Sequence, residues 1–340
     1  MRSFASDNNS GVHPSIMDAI VEVNRDHTVG YGDDPYTRAA EKKLKEVFGP
    51  SADPFLVFNG TGANSVALQA VTRSYHTILC TQTAHIYVDE CGAPTRMSGC
   101  ALTAIPSSDG KLTPEQLLPH LHHFGVCHHS QPRAVYISQV SELGTVYTAD
   151  EIRAIATLVH RHDMYLHMDG ARLANACASL GCSMKELTAD AGVDILSFGG
   201  TKNGMMMGEA IVSFRPELSA GLPYFRKQSA QLASKMRYLS AQFLAYLEGD
   251  LWLTNASHAN RQAARLAAIL RAYPDIHFTQ KPESNQLFFT MPAWAARRLA
   301  EKYFFYYWDE ASSEVRLVTS WDTSAADIDR LQESLHEIFS

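Results

Sequence analysis

The sequence has no long apolar segment: none of its hydrophobic runs approaches the ~18 to 20 residues that a membrane-spanning helix needs. Its first residues, MRSFASDNNSGVHPS, are polar and contain no apolar core, so we expect no secretory signal. Runs of basic residues are also missing, since 29 Lys and Arg stand against 36 Asp and Glu. We therefore expect neither a nucleic acid nor a membrane as a partner.

Paired cysteines with a functional spacing are absent as well. The six cysteines are scattered without a C-x-x-C motif, and a chain of 340 residues that is 46% hydrophobic can bury a core without disulfides. We expect reduced thiols in a cytoplasmic protein. The sequence also lacks the Walker phosphate loop and the G-x-G-x-x-G fingerprint, which argues against a nucleotide-binding α/β protein without catalytic function.

Short apolar runs alternate with helical patterns from residue 55 to about 215. The predicted strands are 55–58, 78–81, 134–138, 165–168 and 194–198. Between them, helical periodicity is clearest at 63–71 and 149–162. This alternation predicts an α/β fold, with a mostly parallel central sheet that is covered by helices on both faces.

The composition changes after about residue 221, which indicates a second domain. We expect an N-terminal arm at 1–25 that contributes to the functional site, a large α/β domain at 26–240, and a smaller α+β domain at 241–340. A long helix over 229–248 is predicted to link the two domains. In the small domain, the predicted elements are helices at 257–273 and 325–339 and strands at 285–290 and 314–319.

Ligands of such sheets bind beyond the carboxyl ends of the strands. Asp169 directly follows one predicted strand, and Lys202 lies in the segment GGTKNG after another. A lysine that faces a cleft can form a Schiff base with a carbonyl compound, and an aspartate can keep a pyridinium nitrogen protonated. Alone, each residue is also typical of a surface loop or a turn. Together they predict a site for pyridoxal 5'-phosphate.

Two further features fit that cofactor. Gly60, Thr61 and Gly62 lie between a strand and a helix, where backbone amides and a hydroxyl can bind a phosphate. His85 follows the predicted strand 78–81, where its imidazole can stack on a pyridine ring. Many glycine-rich turns bind nothing, and most histidines are structural, so only the combination of these residues supports the prediction.

Two arginines predict an anionic substrate group. Arg172 follows Asp169 closely, and Arg316 stands in an apolar strand, where an unpaired charge is costly to bury. A guanidinium group binds a carboxylate through two parallel hydrogen bonds. We expect Arg316 to meet a substrate carboxylate, with an Asp or Glu of the protein as the alternative partner.

Several segments resemble the low-specificity L-threonine aldolases, and most closely the branch that includes phenylserine aldolases. The segments are YGDDP, FNGTGAN, TAHIYVDECGAP, HMDGAR, SFGGTKNG and VRLVTSWDT, and the resemblance runs in order from about residue 4 to residue 339. The resemblance implies the pyridoxal-phosphate fold of type I, as in aspartate aminotransferase. It also implies cleavage of L-β-hydroxy-α-amino acids, such as threonine, allo-threonine and phenylserine, to glycine and an aldehyde. A homotetramer with sites at a dimer interface is implied as well.

The resemblance also implies roles for single residues. Lys202 would form the Schiff base, Asp169 would hold the pyridine nitrogen, and His85 would stack on the ring and assist proton transfer. The phosphate would be bound by Gly60, Thr61 and Gly62, and the substrate carboxylate by Ser6, Arg172 and Arg316. Tyr31 and the segment 226–237 would reach a neighbouring subunit's cofactor, and Arg237 or Lys227 would add a phosphate contact there.

The sequence departs from the family pattern at one point. Many members have a histidine after the strand that is 134–138 here, and that histidine is thought to act on the substrate β-hydroxyl. This chain has Glu142 in that segment. Asp89 or His128 is the candidate for the missing role. A β-eliminating lyase or an aminotransferase, which need the same lysine and aspartate, remains the alternative function.

Overall fold

The structure is a computed structural model that describes residues 2–340. A seven-stranded sheet forms the large domain, in the order β1-β7-β6-β5-β4-β2-β3. Its strands are β1 (Asp53–Val57), β2 (His76–Thr81), β3 (Ala101–Ile105), β4 (Gln131–Ser138), β5 (Tyr165–Gly170), β6 (Ile195–Gly199) and β7 (Glu209–Ser213). Strands β2 to β6 run parallel, and β7 is antiparallel to both β6 and β1.

Helices cover both faces of this sheet. They are α1 (Pro14–Glu22), α2 (Pro35–Phe48), α3 (Gly60–Val71), α4 (His85–Val88), α5 (Ala93–Ser98), α6 (Pro114–Leu117), α7 (Ala149–His160), α8 (Leu173–Leu180), α9 (Pro216–Ser219), α10 (Leu222–Gln228) and α11 (Arg237–Leu247). Alternate residues of β4 face opposite layers: Val135 and Ile137 belong to one apolar core, and Ala134 and Tyr136 to the other. The predicted mostly parallel sheet between helices is confirmed.

Local sequence explains the predicted helix α7. Thr148 caps it, because its hydroxyl accepts the backbone N–H of Glu151 and the Glu151 carboxylate accepts the N–H of Thr148. Ile152, Ile155 and Val159 follow at helical spacing and are buried against the sheet. This agreement between cap and periodicity is why the helix could be predicted from the sequence.

The small domain has a second, antiparallel sheet of four strands, in the order β10-β11-β9-β8. Its elements are α12 (Leu251–Leu270), β8 (His277–Phe278), β9 (Gln286–Thr290), α13 (Ala293–Ala300), β10 (Tyr306–Asp309), β11 (Glu314–Val318) and α14 (Ala325–Phe339). The N-terminal arm packs here. The Phe4 N–H donates to the Phe304 carbonyl at 2.8 Å, and the Val318 N–H donates to the Phe4 carbonyl at 2.8 Å.

The connection between the two domains differs from the predicted helix at 229–248. Helix α11 begins only at Arg237, and the preceding segment is a loop in which Ala230 has a left-handed backbone (φ 58°). The helix that links the two apolar cores is α12. Its first half belongs to the core of the large domain, through Trp252 and Ala256, and its second half to the core of the small domain, through Ala263.

Strand register brings the predicted site residues to one edge of the large sheet. Ser138 at the end of β4 pairs with Asp169 of β5, which in turn pairs with Ser197 of β6. The antiparallel strand β7 starts at the same edge, where Glu209 pairs with Gly199. None of the helices within residues 2–340 is long and apolar enough to cross a membrane.

Candidate active site

A cleft of about 500 Å³ opens at this edge, between the large sheet and the small domain. Six of the residues predicted from the sequence line it: Ser6, His85, Asp89, Arg172, Lys202 and Arg316. The small domain contributes an aromatic wall from β10, formed by Tyr306, Tyr307 and Trp308. Segments far apart in the chain, including the N-terminal arm, therefore meet in one cleft.

Lys202 lies in a short 3₁₀ turn directly after β6. The next residue anchors this turn, because Asn203 Nδ2 donates to the Tyr246 hydroxyl at 2.8 Å. Burial lowers the pKa of Lys202, and the nearby positive charge of Arg172 lowers it further, against the opposing effect of Asp7 and other carboxylates. A lysine with a lowered pKa is more often the neutral amine that can attack a carbonyl carbon.

Asp169 is buried at the end of β5, and three donors point at its carboxylate. Oδ2 accepts hydrogen bonds from Asn64 Nδ2 at 2.9 Å and from the Tyr136 hydroxyl at 2.8 Å. Oδ1 accepts the N–H of Ala171 at 2.9 Å. These donors fix the carboxylate group in one orientation.

The charge of Asp169 is maintained despite its burial. Burial alone would raise the pKa of Asp169, but the positive charges of Lys202 and His85 and the hydrogen bonds from Asn64 and Tyr136 outweigh it and lower that pKa. An ionised, buried aspartate close to a lysine amine is the pair that pyridoxal phosphate requires.

A chain of hydrogen bonds connects Asp169 to His85 through Glu90, which the sequence analysis did not single out. Asn64 Nδ2 donates to Glu90 Oε1 as well as to Asp169, at 2.9 Å each. Glu90 Oε1 lies 3.0 Å from His85 Nδ1. The hydrogen bond to Glu90 raises the pKa of His85 above its ordinary value, although burial opposes this. His85 and Glu90 are five positions apart, whereas neighbours on a helix face are three or four apart. The sequence spacing therefore did not predict this contact.

The glycine-rich turn stands at the start of α3, as expected. Asn59 Oδ1 caps this helix by accepting the Gly62 N–H at 2.8 Å. The N–H groups of Gly60 and Thr61 have no acceptor among residues 2–340 and are the donors available to a phosphate. A Cβ atom at Gly62 would lie 2.3 Å from the Gln231 side chain and would displace its amide, whose Oε1 accepts the Phe58 N–H at 2.9 Å. The turn does not line the cleft described above.

Arg172 is already paired within the protein. Its Nε and Nη2 atoms donate to both carboxylate oxygens of Asp7, at 2.7 and 2.8 Å. Asn285 Nδ2 adds a further hydrogen bond to Asp7 at 3.0 Å. Ser6, the neighbouring residue, was predicted from the sequence. Asp7 was not, because no local pattern links residue 7 to residue 172.

Arg316 has no carboxylate partner among residues 2–340, so the alternative of an Asp or Glu partner is wrong. One guanidinium nitrogen donates to the Ala5 carbonyl at 3.0 Å. The guanidinium carbon lies 5.5 Å from the ring centres of both Tyr306 and Trp308. Arg316 Nε is buried without any hydrogen-bond partner. A buried, unpaired donor in a cleft is suited to an anionic ligand.

Three other predicted residues, His128, Tyr31 and Arg237, do not line the cleft. His128 is exposed in the loop before β4, whereas the cleft lies after that strand, about 25 Å away at about 3.3 Å per residue. The structure therefore does not bring His128 to the cleft of its own subunit. Asp89 is exposed at the rim of the cleft. Tyr31 is 53% exposed, and Arg237 donates to the carbonyl of Arg25, so neither contacts the cleft within one subunit.

A second buried carboxyl group that the sequence analysis missed belongs to Glu209, the first residue of β7. Burial raises the pKa of Glu209, although a hydrogen bond from Thr201 and the charge of Lys202 partly counteract this. The antiparallel strand that positions it was not predicted. Glu209 therefore adds an acidic group next to the lysine turn.

Comparison with known proteins yields one consistent result. The sequence profile of the beta-eliminating lyase family matches residues 3–292. A low specificity L-threonine aldolase from Pseudomonas aeruginosa is 42% identical over 338 residues, which cover 99% of this chain and 97% of that protein. Another from a Pseudomonas species is 41% identical over 340 residues and covers 100% of this chain and 98% of that protein.

Solved structures agree with the sequence relatives. The structure of a threonine aldolase from Leishmania major superposes with a TM-score of 0.94, at 30% identity and with 100% coverage of both chains. Both the sequence and the architecture are thus shared over the full length. On this evidence, the chain belongs to the beta-eliminating lyase family of pyridoxal-phosphate enzymes, within the group of the low-specificity L-threonine aldolases.

Proposed function

We propose that this enzyme binds pyridoxal 5'-phosphate through Lys202 and cleaves L-β-hydroxy-α-amino acids, such as threonine, allo-threonine and phenylserine, to glycine and an aldehyde. The observation that carries the proposal is the placement of the buried Asp169 and the half-buried Lys202 at the ends of the adjacent strands β5 and β6. This arrangement supplies an amine for the aldehyde carbon of the cofactor and an anion for its ring nitrogen.

The residues present fit this cofactor. Asp169 is oriented by three donors and keeps its charge, so it is prepared to accept a hydrogen bond from a protonated ring nitrogen. His85 is held at Nδ1 by Glu90, which leaves its ring face available for stacking. When bound, pyridoxal phosphate delocalises the electron pair that is released at the substrate Cα.

The phosphate would be bound at the start of α3. The free N–H groups of Gly60 and Thr61 are suited to an anion, and the partial positive charge of a helix N-terminus adds to their effect. Cations from a second subunit would complete the site, with Arg237 or Lys227 as the donor and Tyr31 beside it. Lys227 Nζ lies 5.2 Å from the Tyr31 ring centre, so the two residues already form one exposed surface.

We propose that this surface is a subunit interface and that the protein is a homotetramer. Exposed apolar side chains lie on the segments that carry His85 and Lys202, at Tyr87, Val88, Met206 and Met207. Tyr31, beside Lys227, and Tyr224, on the same helix as Lys227, are exposed as well. A group of exposed apolar residues of this kind is typical of a protein contact surface.

The substrate carboxylate would be bound by Ser6, Arg172 and Arg316. Arg316 Nε is the unpaired buried donor, and the two aromatic rings beside it hold the guanidinium plane in place. Lys202 would hold the cofactor through its amine, and its Nζ atom would be the group that returns a proton to the substrate Cα.

All six cysteines are unpaired in the structure. Unpaired thiols are typical of a reducing compartment, and we therefore place the enzyme in the cytoplasm.

A substrate panel tests the proposed activity. The purified protein, loaded with pyridoxal phosphate, is assayed for aldehyde from threonine, allo-threonine and phenylserine and for pyruvate from serine. Aldehyde formation is expected from the first three. Lys202→Ala should abolish it, and Lys185→Ala, a change at a surface lysine, should not. Pyruvate without aldehyde would instead indicate a β-eliminating lyase.

A further inference from the structure

Glu142 lies in the segment after β4, where many family members have a histidine and this chain has none. Glu142 follows β4 and lines the same cleft as Lys202 and Arg316. Neither the family histidine nor His128 is available there, because His128 lies beyond the opposite end of β4. The carboxyl group is therefore the acid–base group that this segment supplies to the cleft.

Two donors hold one oxygen of this carboxyl group. Oε1 accepts the backbone N–H of His85 at 2.8 Å and the hydroxyl of Ser138 at 2.6 Å. Oε2 accepts no hydrogen bond from any other residue within 2–340, and the Glu142 side chain lines the cleft. Because Oε1 is occupied, Oε2 is the oxygen that can meet a molecule in the cleft.

The other candidates are less suited to take a proton from a substrate. Asp89 is exposed at the rim. His85 Nδ1 is engaged by Glu90, and the raised pKa of His85 favours the protonated imidazole, which cannot accept a proton. By contrast, burial raises the pKa of Glu142, against the hydrogen bond from Ser138, and a carboxylate with a raised pKa is a stronger base.

We propose that Glu142 Oε2 accepts the proton of the substrate β-hydroxyl, an inference that rests on the proposed function. As the O–H bond breaks, its electron pair forms the carbonyl bond of the departing aldehyde. The Cα–Cβ bond breaks at the same time, and its electron pair remains on Cα. Glu142 ends the step protonated and returns its proton to solvent once the aldehyde has left. Ser138 is a positioning residue that fixes Oε1.

Two reactions of this enzyme distinguish a base for the β-hydroxyl from a residue that is needed only for the fold or for cofactor binding. Cleavage of threonine requires removal of the hydroxyl proton, whereas exchange of the glycine α-proton in D₂O requires only the cofactor and the lysine. The test compares Glu142→Gln with wild-type enzyme in both reactions, by aldehyde detection and by proton NMR. Visible absorbance during titration with pyridoxal phosphate gives the Kd of the cofactor. Glu301→Gln, at an exposed position, is the matched control.

We expect Glu142→Gln to lower kcat for threonine cleavage on the order of 10²- to 10⁴-fold, the usual contribution of a general base. Glycine exchange and the cofactor Kd should stay within about threefold of wild type. Glu301→Gln should match wild type in all three measurements. Ser138→Ala should lower cleavage by a smaller factor and leave exchange unchanged, because it only loosens the carboxyl group.

Three results would overturn the proposal. One is a Glu142→Gln variant that cleaves threonine within about threefold of wild type. Another is an equal loss of cleavage and exchange, and a third is loss of cofactor binding; both would give Glu142 a structural role. Should Glu142→Gln not fold, Glu142→Asp, which keeps the carboxylate, must cleave more slowly than wild type while exchange persists. Failure of the proposed function would be recognised separately, because wild-type enzyme would then neither form aldehyde nor exchange glycine.

Discussion

Arg172 and Asp7 form a two-pronged ion pair, with Nε–Oδ2 and Nη2–Oδ1 distances of 2.7 and 2.8 Å. The pair joins the turn after β5 to the N-terminal arm, 165 residues away in the sequence. It therefore holds Ser6 at the cleft and fixes the guanidinium of Arg172 in one plane. Asp7 thus fixes the geometry of Arg172, one of the residues that we propose to bind the substrate carboxylate.

Replacing Asp7 should destabilise the protein. Asp7→Asn leaves a buried guanidinium without its anion, and we expect the free energy of unfolding to fall by about 3 kcal/mol. Denaturation in urea measures this change. Asp190→Asn breaks the exposed pair with Lys185 and should cost less than about 1 kcal/mol. Equal stabilities of the two variants would contradict the account.

The same pair predicts a pH dependence of stability. Burial would raise the pKa of Asp7, but the charge and hydrogen bonds of Arg172 outweigh it, so the pKa lies below its ordinary value of 3.8. A lowered pKa means that the stabilisation is present above 3.8 and is lost as the pH falls through the pKa of the folded state. In Asp7→Asn, the free energy of unfolding should fall less between about pH 5 and pH 2 than it does in wild type. An equal fall in the two proteins would exclude a contribution of Asp7.

Arg316 should govern substrate affinity. Arg316→Lys keeps the charge but removes the planar group beside Tyr306 and Trp308 and its unpaired Nε. Loss of one charge-assisted hydrogen bond, about 1.5–3 kcal/mol, corresponds to a rise in KM of roughly 10- to 100-fold. Steady-state kinetics with threonine measures it. A variant with wild-type KM would show that the carboxylate binds elsewhere.

Asp169 should govern turnover. Asp169→Asn keeps the size of the side chain but removes the negative charge that we propose to face the ring nitrogen, so electron withdrawal from Cα should weaken. We expect kcat to fall on the order of 100-fold while the visible absorbance of the bound cofactor remains. Turnover within about threefold of wild type would mean that Asp169 does not face the ring.

Glu90 should set the protonation of His85. The hydrogen bond that His85 donates to Glu90 is the main cause of the raised pKa of His85, and burial opposes it. Protonated His85 therefore stabilises the fold below its ordinary pKa of 6.5, and this contribution is lost as the pH rises through the raised value. In Glu90→Gln, NMR titration should give a lower pKa for His85. An unchanged titration would contradict the assignment.

The sequence predicted those parts of the fold that have local signals. The capping residues and the helical periodicity predicted helix α7, and short apolar runs predicted the strands of the parallel sheet. Strand β7 was missed because its apolar run follows the lysine turn without an intervening helix. The helix predicted at 229–248 was half wrong, since apolar spacing continues through a loop in which Ala230 takes a left-handed conformation.

The candidate site was predicted where a residue type at a strand end implies a chemistry, as for Lys202 and Asp169. It was not predicted where a side chain acts through a distant partner. Asp7 and Glu90 each stand next to a residue that was chosen, Ser6 and Asp89, and only coordinates distinguish which neighbour points inward. Glu142 departs from the family pattern in sequence, and only the structure shows that its side chain lines the cleft.

The central claim is that Lys202 is the residue bonded to the cofactor opposite Asp169. Borohydride reduction of the pyridoxal-phosphate-loaded protein, followed by peptide mass spectrometry, identifies the lysine that carries the cofactor. We predict a pyridoxyl group on Lys202 and on no other lysine. A label on a different lysine, or a protein that takes up no pyridoxyl group under these conditions, would contradict it.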